Sequence, residues 1–116
     1  MVATRDSILG ADDLRTEVVS TQEWGDVRIR TMTGAERDNF DACLLKAGNG
    51  EKFNDPTGVR ARLVMLCAVD EKGERLFDES HIPELQKKAA KPLGEVADAI
   101  SALNGMGQEE EIEKNS

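Results

Sequence analysis

The sequence predicts an α+β fold, mainly α, in which an N-terminal β-hairpin packs on a small bundle of about four helices. A flexible N-terminal arm (1–15) precedes this single globular domain (16–105), and a disordered acidic tail (106–116) follows it. Three observations carry the prediction. Val27 to Met32 alternates as a strand does, with Val27, Ile29 and Thr31 on one side and Arg28, Arg30 and Met32 on the other. Thr33-Gly34-Ala35-Glu36 then spells an S/T-x-x-E capping box, and it opens a helical face through Phe40, Cys43, Leu44 and Ala47. Three Phe, one Trp and no Tyr leave the core to Leu, Val, Ile, Ala and Met, a supply that suits helix packing better than an aromatic-rich sandwich.

The elements follow in order. In the loosely held arm, Ile8, Leu9 and Leu14 are expected to dock on the body. The hairpin spans 17–32, with Val18 and Val19 in its first strand and Gly25 of EWGD supplying the positive φ of a tight turn. A lone hairpin is marginal in water, so its Val/Ile face must lie on something apolar. The first helix covers 34–47 and stops at Gly48-Asn49-Gly50. Phe53 is the large apolar residue of the loop that follows, either tucked onto the core or exposed to a partner. Asp55-Pro56 makes an N-cap and first-turn pair for a helix over 56–68, apolar nearly all round toward its end. Its β-branched Val64 and Val69 leave open a strand within Val64–Leu76. After a DEKG turn, Asp78 or Ser80 caps a helix over 81–90, with Glu84 and Lys88 in the favourable i, i+4 order. Pro92 starts the last helix, 92–104, whose Leu93, Val96, Ala97, Ile100 and Leu103 share one face up to the Asn104-Gly105 stop.

Charge and chemistry narrow the function. A net charge of −8 argues against nucleic acid, which needs clustered Lys and Arg, and equally against an anionic membrane surface. The longest apolar run, Leu63 to Val69, is far too short for a membrane span, and the N-terminal residues lack the apolar stretch of a signal peptide, so a cytosolic protein is expected. Cys43 and Cys67 sit among apolar neighbours and read as reduced core thiols, with a disulfide or a reactive site as the alternative. His81, the single histidine, fits no zinc spacing with either Cys. Phosphate-binding, nucleophile-elbow, dinucleotide and EF-hand motifs are all missing, so no cofactor, metal or catalytic residue is assigned and no enzyme is expected.

What remains is a surface for a partner. Alternation puts Arg28 and Arg30 on the outer face of the hairpin, either as a solvated face or as a small cationic patch for partner carboxylates. Trp24 at the hairpin tip favours the second use, because Trp and Arg are enriched in binding hot spots. Met32 and Phe53 join them as large apolar residues that the helix and strand patterns leave outside the core. The candidate partner-binding residues are therefore Trp24, Arg28, Arg30, Met32 and Phe53.

Taken together, SILGADDL (Ser7–Leu14), the T-E-V strand from Thr16, EWGDVRIRTMTGAERDNF (Glu23–Phe40), RARLVMLCAVDEKGERLFDE (Arg60–Glu79) and the acidic EKNS ending resemble the tail assembly chaperones of long-tailed bacteriophages. The resemblance covers most of the chain and contains no catalytic motif. It implies a non-enzymatic protein of the host bacterial cytoplasm that binds the helix-rich tape measure protein, keeps it soluble and recruits tail tube protein around it, then leaves before the virion is finished. It also implies that a longer form can arise by ribosomal frameshift, and a homo-oligomer is compatible with it. Physically, such a chaperone would cover apolar helical stripes with grooves between its own elements. Two readings of other classes stay open: an acidic inhibitor or nucleic-acid mimic that blocks a DNA-binding partner, and a minor structural subunit of the virion.

Overall fold

A computed structural model of the chain describes residues 2–48 and 56–106. Phe53 and most of the acidic tail lie outside the described residues. The fold is α+β: a three-stranded antiparallel sheet in the order β1-β2-β3, with helices packed against it. The strands are β1 (Thr16–Thr21), β2 (Gly25–Arg30) and β3 (Ala68–Val69); the helices are α1 (Arg5–Leu9), α2 (Gly34–Gly48), α3 (Pro56–Cys67), α4 (Ile82–Gln86) and α5 (Ala90–Leu103).

The hairpin forms as its sequence dictates. β1 and β2 pair in register from Thr16 opposite Arg30 to Thr21 opposite Gly25. Gly25 takes φ 79°, the left-handed conformation that closes a short hairpin loop without a Cβ penalty. Thr21 is buried here and latches the turn: its hydroxyl donates to the Gly25 carbonyl at 2.8 Å and accepts the Trp24 N–H at 2.9 Å. The open strand question is settled by β3, whose Val69 and Ala68 pair with Arg28 and Ile29 directly after α3 ends.

The core gathers on the inner face of this sheet. Ile29, Phe40 and Ala68 meet the C-terminal part of α3, where Leu63 through Cys67 are all buried. α5 closes the core with the expected stripe: Leu93, Val96, Ala97 and Ile100 are buried and Leu103 is half-buried. Pro92 is the third residue of α5 and not its first, a position where the missing N–H has no helical carbonyl to lose. Both cysteines are free; Cys67 lies in the core, where burial pushes its thiol up to about 12, and Cys43 is half-buried.

Three expectations are corrected. Ile8 and Leu9 do not dock: they are 61% and 77% exposed on α1, a one-turn helix that satisfies its own start through a Thr4/Ser7 capping box. The helix expected over 81–90 is shorter, a 3₁₀ turn at Glu79–His81 capped by Asp78 and then α4. Because α4 ends at Gln86, Lys88 falls past its last turn, and the near cation to Glu84 is Lys87 at 3.9 Å. Met32 is the third. Alternation stops with β2 at Arg30, so Met32 belongs to the connection into α2 and enters the core at 9% exposure. Its N–H donates to Asn104 Oδ1 at 2.9 Å, which ties the strand-to-helix junction to the end of α5.

Candidate partner-binding groove

The two ends of β2 present different surfaces. At its C-terminal end the Thr33/Glu36 capping box is formed: the Glu36 N–H donates to the Thr33 hydroxyl at 3.1 Å, and Glu36 Oε1 accepts the Thr33 N–H at 2.9 Å. The same carboxylate takes a bidentate fork from Arg30, two bonds of 2.8 Å, and a further bond from Arg75 Nη2. Arg30 and Glu36 are only 12% and 13% exposed. Burial opposes the charge on Glu36, but the Arg30 fork, the Thr33 backbone and Arg75 outweigh it and hold the carboxyl at about 2. Arg30, bonded chiefly to Glu36, is raised in turn. This corner is closed: a structural clamp between β2, α2 and the segment after β3.

The N-terminal end of β2 is open. β3 pairs only with Arg28 and Ile29, and the chain leaves the sheet at Asp70, so Gly25 to Val27 has no strand beside it on that side among the described residues. The departure is a built turn: Asp70 Oδ1 accepts the N–H groups of Lys72 and Glu74 at 2.8 and 3.0 Å, and Gly73 takes φ 85°. Those N–H groups hold the Asp70 carboxyl below the usual carboxylate range. A groove of about 740 Å³ runs around this open edge. Val18 and Arg28 come from the outer face of the sheet, Val27 and Trp24 from its inner side and tip, and Val64 and Val69 from α3 and β3. Leu76, Phe77 and Leu85 close the far wall, where Phe77 stands edge-on to His81 with ring centroids 5.8 Å apart.

Two apolar side chains of the groove, Val18 and Leu76, are about half exposed at 52% and 49%. The charged residues along it are Asp26, Asp70, Glu71 and Glu84 against Arg28 and Lys88, a rim that is acidic on balance. His81 is a surface residue whose Nδ1 accepts the Asp78 N–H at 2.9 Å. Among the described residues, no group of three His, Cys, Asp or Glu side chains is placed to hold a metal ion, and no helix is long and apolar enough to cross a membrane.

The structure thus brings together two of the sequence-selected residues, Trp24 and Arg28, and separates them from Arg30, which is spent on Glu36, and from Met32, which is core. Leu76 and Phe77 were missed because a short extended GERLF segment gives no period from which to assign a face. Their signal in the sequence was only that they are large, apolar and flanked by charge.

No family model matches the chain, and no curated protein matches it by sequence. Among solved structures, the chain is similar to the tail assembly chaperone of bacteriophage HK97. The two share a fold with a TM-score of 0.59 and 12% sequence identity, over 84% of this chain and 90% of that one.

Proposed function

We propose that this protein is a phage tail assembly chaperone: it binds the tape measure protein of its phage, keeps it soluble, and helps bring tail tube protein to it. It acts in the host bacterial cytoplasm, by binding alone, and is absent from the finished virion. The observation that carries the reading is the fold shared with the HK97 chaperone across most of both chains. At this identity the likeness speaks for the fold, so the role rests also on what the fold exposes. An apolar groove with two half-exposed aliphatic side chains on its lip suits a helix that has not yet found its permanent cover. The net charge of −8 would keep such a complex in solution.

Co-expression with the tape measure protein of its own phage tests the proposal. The tape measure should be soluble and co-purify only when this chain is present. If it stays insoluble and unbound with both proteins well expressed, the chaperone reading is wrong for this form.

A further inference from the structure

We infer that the groove around the open edge of β2 is a docking site for an apolar helix flanked by lysine or arginine. This rests on the chaperone reading only for the identity of the protein that carries the helix. The shape comes first. An added strand would find only Gly25 to Val27 unpaired on β2, at the short end of the usual strand length, and the Asp70–Gly73 turn begins at the position where the β2–β3 register would continue. The walls are side chains from the sheet, from α3 and α4 and from the segment after β3, and a groove walled by side chains suits a helix that presents knobs at helical spacing.

The charge comes second. Four carboxylates and two cations line the groove, within a chain of net charge −8, so basic residues on either side of an apolar stripe meet opposite charge along the rim and acidic ones meet like charge. Asp70 and Glu71 come from the turn after β3, Asp26 from β2 beside the hairpin tip and Glu84 from α4, so the carboxylates are contributed by three separate parts of the chain. The apolar floor supplies affinity and the rim supplies selection and encounter rate.

Trp24 is the only tryptophan of the chain and lines the groove, so its fluorescence reports occupancy directly. The probes are two synthetic helices without tryptophan, with the same leucine stripe, one flanked by lysine and the other by glutamate. The lysine peptide should shift Trp24 emission to the blue and saturate, and should bind at least tenfold more tightly than the glutamate peptide. A Val18→Thr/Leu76→Asp double variant alters exposed positions and keeps strand propensity at Val18. It should melt as the parent does and lose at least tenfold in affinity for the lysine peptide. That direction is decisive, because the added Asp would strengthen any unspecific attraction of a cationic peptide. Equal binding of both peptides, an unmoved Trp24, or a double variant that binds as tightly as the parent overturns the assignment. The two proposals also separate. A double variant that still solubilises the tape measure protein removes the groove from the chaperone's work. A parent chain that binds the lysine peptide but never the tape measure protein keeps the groove and removes the chaperone reading.

Discussion

Arg28 and Arg30 lie on the same face of the same strand, one pleat apart, and their surroundings make them different kinds of residue. Arg30 meets Glu36 arriving from α2 and shares that carboxylate with Arg75 from beyond β3, which locks it into a nearly buried, hydrogen-bonded corner. Arg28 stands between Val18 and Val69 on the neighbouring strands and borders the groove. The lesson is that alternation fixes the face of a side chain and leaves its duty to elements far away in sequence. One arginine is built into a closed corner of the fold, and the other borders an open groove.

Breaking the closed corner should produce the largest effect. Glu36→Ala removes the acceptor of a bidentate fork and the carboxylate half of the capping box, and it strands the guanidinium of Arg30 with little solvent to replace it. Losing one partner of a poorly solvated pair and part of a cap should destabilise the protein by about 3–4 kcal/mol. The midpoint of urea unfolding reads this directly; a loss under about 1 kcal/mol would mean the corner is solvated in solution.

Protonating the same carboxylate is a milder way to break it. The Glu36 carboxyl is held at about 2 against an ordinary value of 4.5. A folded-state value below the unfolded one means that the stabilisation is complete above pH 4.5 and is lost as the pH falls toward 2. Between pH 6 and pH 3 the loss from this group should be about 2 kcal/mol. Asp70 and Asp78 are also depressed and titrate in the same direction, so the comparison must be between the parent and Glu36→Gln. Unfolding curves at the two pH values should converge as the pH drops; a gap that stays constant would place the pH dependence on other carboxylates.

These two corners differ in how far the sequence revealed them. The Thr33/Glu36 box is local, and its residues announce it at the right spacing. The hairpin, the Gly25 turn, the α3 core and the α5 stripe were legible for the same reason: each depends on a period or a turn residue within a few positions. Arg75 is 39 residues from Glu36, and no local pattern pairs them. The groove was half legible. Trp24 and Arg28 are conspicuous by residue type, but Leu76 and Phe77 join them only because β3 returns to β2 and the chain then turns at Asp70. Met32 shows the opposite failure, since a pattern extended two residues past the end of its strand put a core side chain on the surface. Ile8 and Leu9 of the arm were expected to seek the core, and a self-capped helix of one turn holds them at the surface instead.

The tether at Met32 allows the next comparison, between a closed corner held by charge and one held by a neutral amide. Asn104 accepts the Met32 N–H at 2.9 Å while its own amide nitrogen donates to the Ile100 carbonyl at 2.9 Å. Asn104→Ala leaves both groups without their side-chain partner and should lower stability by about 1–2 kcal/mol. Unlike the loss at Glu36, this one should be the same at pH 3 and pH 6, because the amide does not titrate. A pH-dependent difference would show that the end of α5 and the Glu36 corner are coupled.

Arg28 should give the smallest change in stability and so complete the contrast with Arg30. Arg30→Ala deprives a nearly buried carboxylate of its fork and should cost about 2–3 kcal/mol. Arg28→Ala removes a side chain that stands opposite Val18 and Val69 in the register and has no ion pair among the described residues to lose, and should cost no more than about 0.5 kcal/mol. Denaturation of the two variants side by side makes the measurement, since they share strand, face and chemistry and differ only in what surrounds them. If both fall by similar amounts, Arg28 is a second structural arginine and its edge of the groove is part of the scaffold. If Arg28→Ala keeps its stability while the lysine-flanked helix binds it slightly more tightly, by about twofold as one rim cation is lost, then the open end of β2 is the surface on which recognition, and not folding, acts.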